Sequence, residues 1–173
     1  MSSLVLKEFR CLSQDDNIGG DSPYFIVFKG RTGQPAEVNR LRKASWDGNI
    51  TSGEFVSANV TAFSNISSGD YVLAHVVEED DGLDLEGSDY NNMANFVKNA
   101  WSINAKMGFA PQFLIEILMP LMLASGVNKN IGNDDAGGLP QKVSISGAPG
   151  LCPLIYLSTD GGGLYKVRFE VKA

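Results

Sequence analysis

The chain has 173 residues, of which 43% are hydrophobic and 20% charged, and it carries a formal net charge of -6. That length suits one domain able to bury roughly 70% of the surface its unfolded form exposes, and the acidic balance argues against a nucleic-acid surface, which needs a basic stripe. Nineteen glycines against seven prolines point to many turns, as in an all-β framework, rather than to a disordered chain.

The segment Leu4 to Leu12 alternates only in part, with Leu4, Leu6, Phe9 and Cys11 competing for one face, and reads as a first strand. An acidic, glycine-broken loop, Asp15 to Ser22, separates it from Tyr24 to Phe28. That second run is continuously apolar, as in a strand covered on both faces. Ala36 to Trp46 carries Arg40, Arg42 and Lys43 between apolar positions and reads as a solvent-facing edge strand. Glu54 to Phe63 sets Phe55, Ser57, Asn59 and Thr61 against Val56, Ala58, Val60 and Ala62, the mark of a half-buried strand. Tyr71 to Val77 is a strong strand that runs directly into the acidic stretch Glu78 to Asp84.

From Asp89 the period changes. Met93, Phe96, Val97, Ala100, Trp101 and Ile103 recur at spacings of three and four, which predicts an amphipathic helix capped by Ser88 or Asp89. Pro111 suits a first helical position, and Phe113 to Ala124 reads as a second helix, apolar almost all round and kinked or shortened by Pro120. Glu116 and Pro120 leave it too interrupted to span a bilayer. It is expected either to pack on its own sheet or to form a partner-binding face. A third acidic loop holds Asp134 and Asp135, and three strands follow: Lys142 to Ile145, Leu151 to Leu157 and Leu164 to Val171. The count of about eight strands with helices inserted after the fifth predicts a mainly β fold: one antiparallel eight-stranded β-sandwich domain over residues 1–173, with a helical hairpin insertion at 89–126.

The loops hold the candidate chemistry. Crowded carboxylates repel unless basic side chains or a bound cation compensate them. Calcium takes six to eight oxygens, so Asp-rich loops with glycine suit it, whereas one histidine and two cysteines in apolar segments make a zinc site improbable. The first loop is not a helix-loop-helix calcium loop, because it lacks the terminal Glu and flanking helices. His75, on an apolar strand, reads as a satisfied core or rim side chain, and Cys11 and Cys152 as buried thiols whose pairing stays open. The sequence contains no Gly-x-Ser-x-Gly elbow, no His-Glu-x-x-His and no phosphate loop, and Gly161 to Gly163 makes a turn, so a non-enzymatic role is expected. The N-terminus has no basic start followed by a long apolar core. Cytoplasmic synthesis without Sec export is therefore the default, with non-classical export left open, and the sequons at Asn49, Asn59 and Asn65 would matter only in a secretory pathway.

Asp16-Asn-Ile-Gly-Gly-Asp-Ser-Pro-Tyr24 resembles the first calcium loop of the C2 domain family, with Asp21-Ser22 in place of the usual Ser-Asp before Pro-Tyr. Glu78 to Asp84 is similar to the start of that family's other calcium loop, and Asp134-Asp135 followed by Gly137 resembles its end. The resemblance implies an eight-stranded sandwich that holds calcium at one end and docks without catalysis on an anionic membrane surface or a protein partner. Its ligands would be Asp15 or Asp16 and Asp21 from the first loop, Glu79, Asp80 and Asp81 from the second, and Asp134 and Asp135 from the third. The alternative is a structural or assembly protein that uses the apolar helical hairpin as an interface and needs no metal.

Overall fold

The computed structural model describes residues 2–14, 20–79, 87–106, 112–130 and 136–173. It is a mainly β structure of two antiparallel sheets packed face to face, with two helices laid over the outer face of one of them. The four-stranded sheet runs β3 (Glu37–Leu41), β2 (Pro23–Gly30), β6 (Tyr71–Glu78), β7 (Gln141–Lys142). The six-stranded sheet is centred on β1 (Ser3–Ser13) and β10 (Leu164–Lys172). β4 (Phe55–Val56) and β5 (Val60–Phe63) pair with β1, while β8 (Gly150–Leu151) and β9 (Ile155–Ser158) pair with β10. The expected sandwich with a helical insertion is therefore present, although several of the expected strands are broken into shorter pieces.

The continuous apolar run of β2 follows from its place. Phe25 and Val27 enter the core between the sheets, Tyr24, Ile26 and Phe28 lie under the helices, and every residue of the strand is buried. β10 has only one covered face, so Tyr165, Val167, Phe169 and Val171 point inward while the intervening residues stay partly open. Phe9, Phe25, Trp46 and Tyr165 form the aromatic centre of the sandwich, with ring centroids 5.1 to 6.4 Å apart in tilted and edge-on pairs.

Two irregularities account for imperfect alternation. A register shift between Leu6 and Glu8 reverses the parity of β1, so Leu4 and Leu6 before it and Phe9 and Cys11 after it all face the core. Opposite that bulge, the backbone N–H groups of Ala58 and Asn59 both donate to the Lys7 carbonyl, and Asn59 takes a φ of 48°. This splits the expected Glu54 to Phe63 strand into β4 and β5, and asparagine is among the side chains that tolerate that region. The expected strand from Ala36 to Trp46 ends at Leu41, and a 3-10 turn at Ala44–Trp46 drives the Trp46 ring into the core. β3 is an edge strand, but helix α1 (Gly87–Lys106) covers it, and the Tyr90 hydroxyl donates to the Val38 carbonyl at 2.8 Å.

Helix α1 buries Met93, Ala94, Val97, Ala100 and Trp101, following its periodic pattern. Helix α2 (Gln112–Asn128) continues through Pro120 and buries Met119, Leu123 and Val127 on one stripe. Gly30 at the end of β2 is required by this layer. A Cβ there would stand 2.6 Å from the Trp101 ring, which lies flat over the strand end with its indole N–H donating to the Gln34 carbonyl.

Candidate functional site

Because Pro23 pairs with Glu78, the chain entering β2 and the chain leaving β6 are neighbours at one end of the sandwich. The Ser22 N–H donates to Glu78 Oε1 at 3.0 Å, the Glu79 N–H to the Ser22 carbonyl at 3.4 Å, and the Gly48 N–H to Ser22 Oγ at 2.7 Å. Asp21 forms a two-way backbone bridge with Ile50, at 2.7 and 3.2 Å. The chain approaches so closely that a Cβ on Gly20 would lie 2.9 Å from the Asn49 and Ile50 backbone. The acidic loop is thus clamped where it re-enters the fold.

Asp21 and Glu79 each have a named partner. Asp21 is fully buried, and the Tyr165 hydroxyl donates to its Oδ2. Burial and the bond to Asp21 both push the Tyr165 phenol far above its ordinary range, so it is held as a donor. Arg42 bridges two acids: Nη2 lies 2.6 Å from Glu79 Oε2, and Nε 3.1 Å from Asp47 Oδ1. Below them, the Cys11 thiol is pushed up to about 12 by burial first and then by Asp21 and Glu54, which keeps it a neutral, inert thiol. Cys11 and Cys152 are separate, free and buried.

The residues that follow the third acidic segment reach the same end. Ala136 is buried and bonds His75 through its backbone, and a Cβ on Gly137 would lie 2.1 Å from the Asp160 nitrogen. The Asp160-containing turn is closed by reciprocal bonds between Thr159 and Gly163, and it leads into β10 just ahead of Tyr165. Asp21, Glu78, Glu79, Ala136 and Asp160 therefore belong to one end of the molecule. Asp15, Asp16, Asp80, Asp81, Asp134 and Asp135 lie outside the described residues. Among the described residues no group of three or more His, Cys, Asp or Glu side chains is disposed to hold a metal ion.

Tyr165 and Arg42 are the neighbours of the acidic end that sequence reasoning does not single out. Tyr165 is 144 positions from Asp21, and Arg42 resembles any solvent-facing cation on an edge strand. His75 is a buried side chain, as expected; among the described residues its Nε2 has no hydrogen-bond partner, and burial lowers its pKa from 6.5 to about 4.

A second feature lies on the helical layer. Ile117 and Leu121 of α2 are about half exposed and, with Pro120, Leu139, Tyr71 and Leu73, line a groove of about 520 Å³ between the helix and β7. Its lip carries the Lys142–Glu116 ion pair at 2.6 Å, with Lys142 also over the Tyr71 ring. No described helix is long and apolar enough to cross a membrane. No family model, curated protein or solved structure matches the chain.

Proposed function

We propose that this chain is a non-enzymatic binding module whose acidic end takes calcium and attaches to a protein partner or an anionic membrane surface. One observation carries the reading. The described residues bounding the three acidic segments, Asp21, Glu79 and Ala136, gather at one end of a rigid sandwich, where carboxylates from distant parts of the sequence can share a cation. Asp15, Asp16, Asp80, Asp81, Asp134 and Asp135 are the proposed ligands. Asp21 and Glu79, tied to Tyr165 and Arg42, fix the ends of the first two segments. A cation that neutralised this end would turn a surface repelling anionic groups into one attracting them.

Calcium titration calorimetry and thermal melts on the chain and on an Asp16→Asn, Asp80→Asn double variant test the reading. Heat of binding with a raised melting temperature, both lost in the variant, is the expected result. A ligand at about a hundred times its Kd adds about 2.7 kcal/mol. No heat and no rise at millimolar calcium removes the idea.

The groove beside α2 favours a second reading, assembly through the helical hairpin, because Ile117 and Leu121 lie open beside Leu139 and Leu118 is exposed on the same helix. Light scattering on Leu118→Gln, Leu121→Gln protein separates the two: a concentration-dependent oligomer that the variant dissolves supports assembly, and a monomer at all concentrations sinks it.

A further inference from the structure

The outer face of the six-stranded sheet carries a charge pattern that the net charge conceals. Along β10 the residues turned away from the core are Lys166, Arg168, Glu170 and Lys172, and on β1 they include Glu8 and Arg10. The ladders set four side chains in one row across four strands: Phe55 is paired with Arg10, Arg10 with Lys166, and Lys166 with Tyr156. With neighbouring strands about 4.8 Å apart, the two aromatic ends stand about 14 Å from each other with two cations between them.

Three features of this row call for a ligand. Like charges directly opposite on paired strands oppose folding, yet Arg10 faces Lys166, and among the described residues no carboxylate stands within ion-pairing distance of either. Arg168, next along β10, touches Glu8 only at 3.7 Å, and among the described residues its buried Nε lacks a hydrogen-bond acceptor. Phe55 and Tyr156 are 56% and 53% exposed, large rings left open where nothing in the fold needs them. Phe55, Arg10, Lys166, Arg168 and Leu154 rim a shallow hollow of about 140 Å³ that Glu8 also lines, Tyr156 stands outside it beside Lys166, and Arg10 is steadied there by donating to the Gly53 carbonyl at 3.1 Å.

We infer that this sheet face binds a short single-stranded nucleic acid, with phosphates on Arg10, Lys166 and Arg168 and bases stacked on Phe55 and Tyr156. The chemistry favours this occupant over an acidic peptide. Cations alone would serve a peptide, whereas exposed aromatic rings on either side of the cations form the stacking platform and backbone track of single-strand binders. A chain of net charge -6 repels a long polyanion, so the contact is local, and three phosphate contacts give a slope of log K on log salt of about -2.

Fluorescence anisotropy with labelled oligothymidylate and oligouridylate of about twelve nucleotides, in calcium-free buffer at low salt, tests the inference independently of the acidic end. The expected result is binding with that salt slope to one or both strands. It should weaken at least about tenfold in Arg10→Glu, Lys166→Glu protein and fall again in Phe55→Ala, Tyr156→Ala protein. The milder Arg10→Gln, Lys166→Gln pair serves if circular dichroism shows the reversed pair unfolded. No anisotropy change for either strand, binding untouched by these substitutions, or tighter binding of polyglutamate or anionic vesicles than of either oligonucleotide would each overturn it.

Discussion

Acidification should weaken this fold through His75, and the size of the effect can be worked out. The imidazole is 1% exposed in the middle of β6, on the face that carries Leu73 and Val77 under the helices. It has a backbone bond to Ala136 and, among the described residues, no partner on Nε2. Burial lowers its pKa from 6.5 to about 4, against a smaller opposing pull from Asp160. The unfolded chain therefore binds a proton between those values that the folded chain refuses, so stability is present above pH 6.5 and is lost as pH falls towards 4. The loss attributable to this one group is about 1.4 kcal/mol at about pH 5.5 and about 2.5 kcal/mol at about pH 4.5. Carboxylates titrate over the same range, so the quantity to measure is the difference between the chain and His75→Leu in urea unfolding at matched pH. That difference should move in favour of the variant by about 2.5 kcal/mol between about pH 7.5 and 4.5. A gap that stays constant with pH would falsify the reasoning, and so would an imidazole that titrates near 6.5 in the folded protein by NMR.

Gly30→Ala should destabilise by about 1–3 kcal/mol, because the added Cβ meets the Trp101 ring at 2.6 Å and that ring is fixed by Gln34 and Phe28. A thermal melt reads this as a drop of several degrees, and an unchanged melting temperature would mean that α1 does not sit on β2 as described. Tyr165→Phe keeps the ring but removes the donor to a fully buried carboxylate, and should cost about 1.5–3 kcal/mol at neutral pH in the same denaturant assay. A loss within experimental error would show that Asp21 does not rely on that hydroxyl.

Legibility in the sequence followed how local each signal was. The continuous apolar β2, the alternating β10 and the three-four spacing of α1 each answer to one period, and each element lies where that period puts it. β1 was harder to read because its inner face changes parity at Lys7, and the cause, two N–H groups of a distant segment sharing one carbonyl, is invisible from either strand alone. Leu41 and Trp46 also look like parts of one strand until the 3-10 turn redirects the second. At the acidic end, composition marked the loops but could not reveal what compensates two of their acids. Those partners, Tyr165 and Arg42, come from another sheet and another edge.

Net charge is silent on placement for the same reason. An average over the chain says nothing about where charge is placed, and this fold separates its charges by geometry. The acidic segments fall in connections, and β2 and β6, buried on both faces, hold the ends of two of them in fixed positions. The period of two along β10 sends Lys166, Arg168, Glu170 and Lys172 to the opposite side from its apolar residues, and antiparallel pairing sets Arg10 opposite Lys166 and Glu8 opposite Arg168. Under the two proposals together, one sandwich carries a cation-seeking end and an anion-seeking face. The variants that test one proposal leave the other untouched, since no residue named for one belongs to the other.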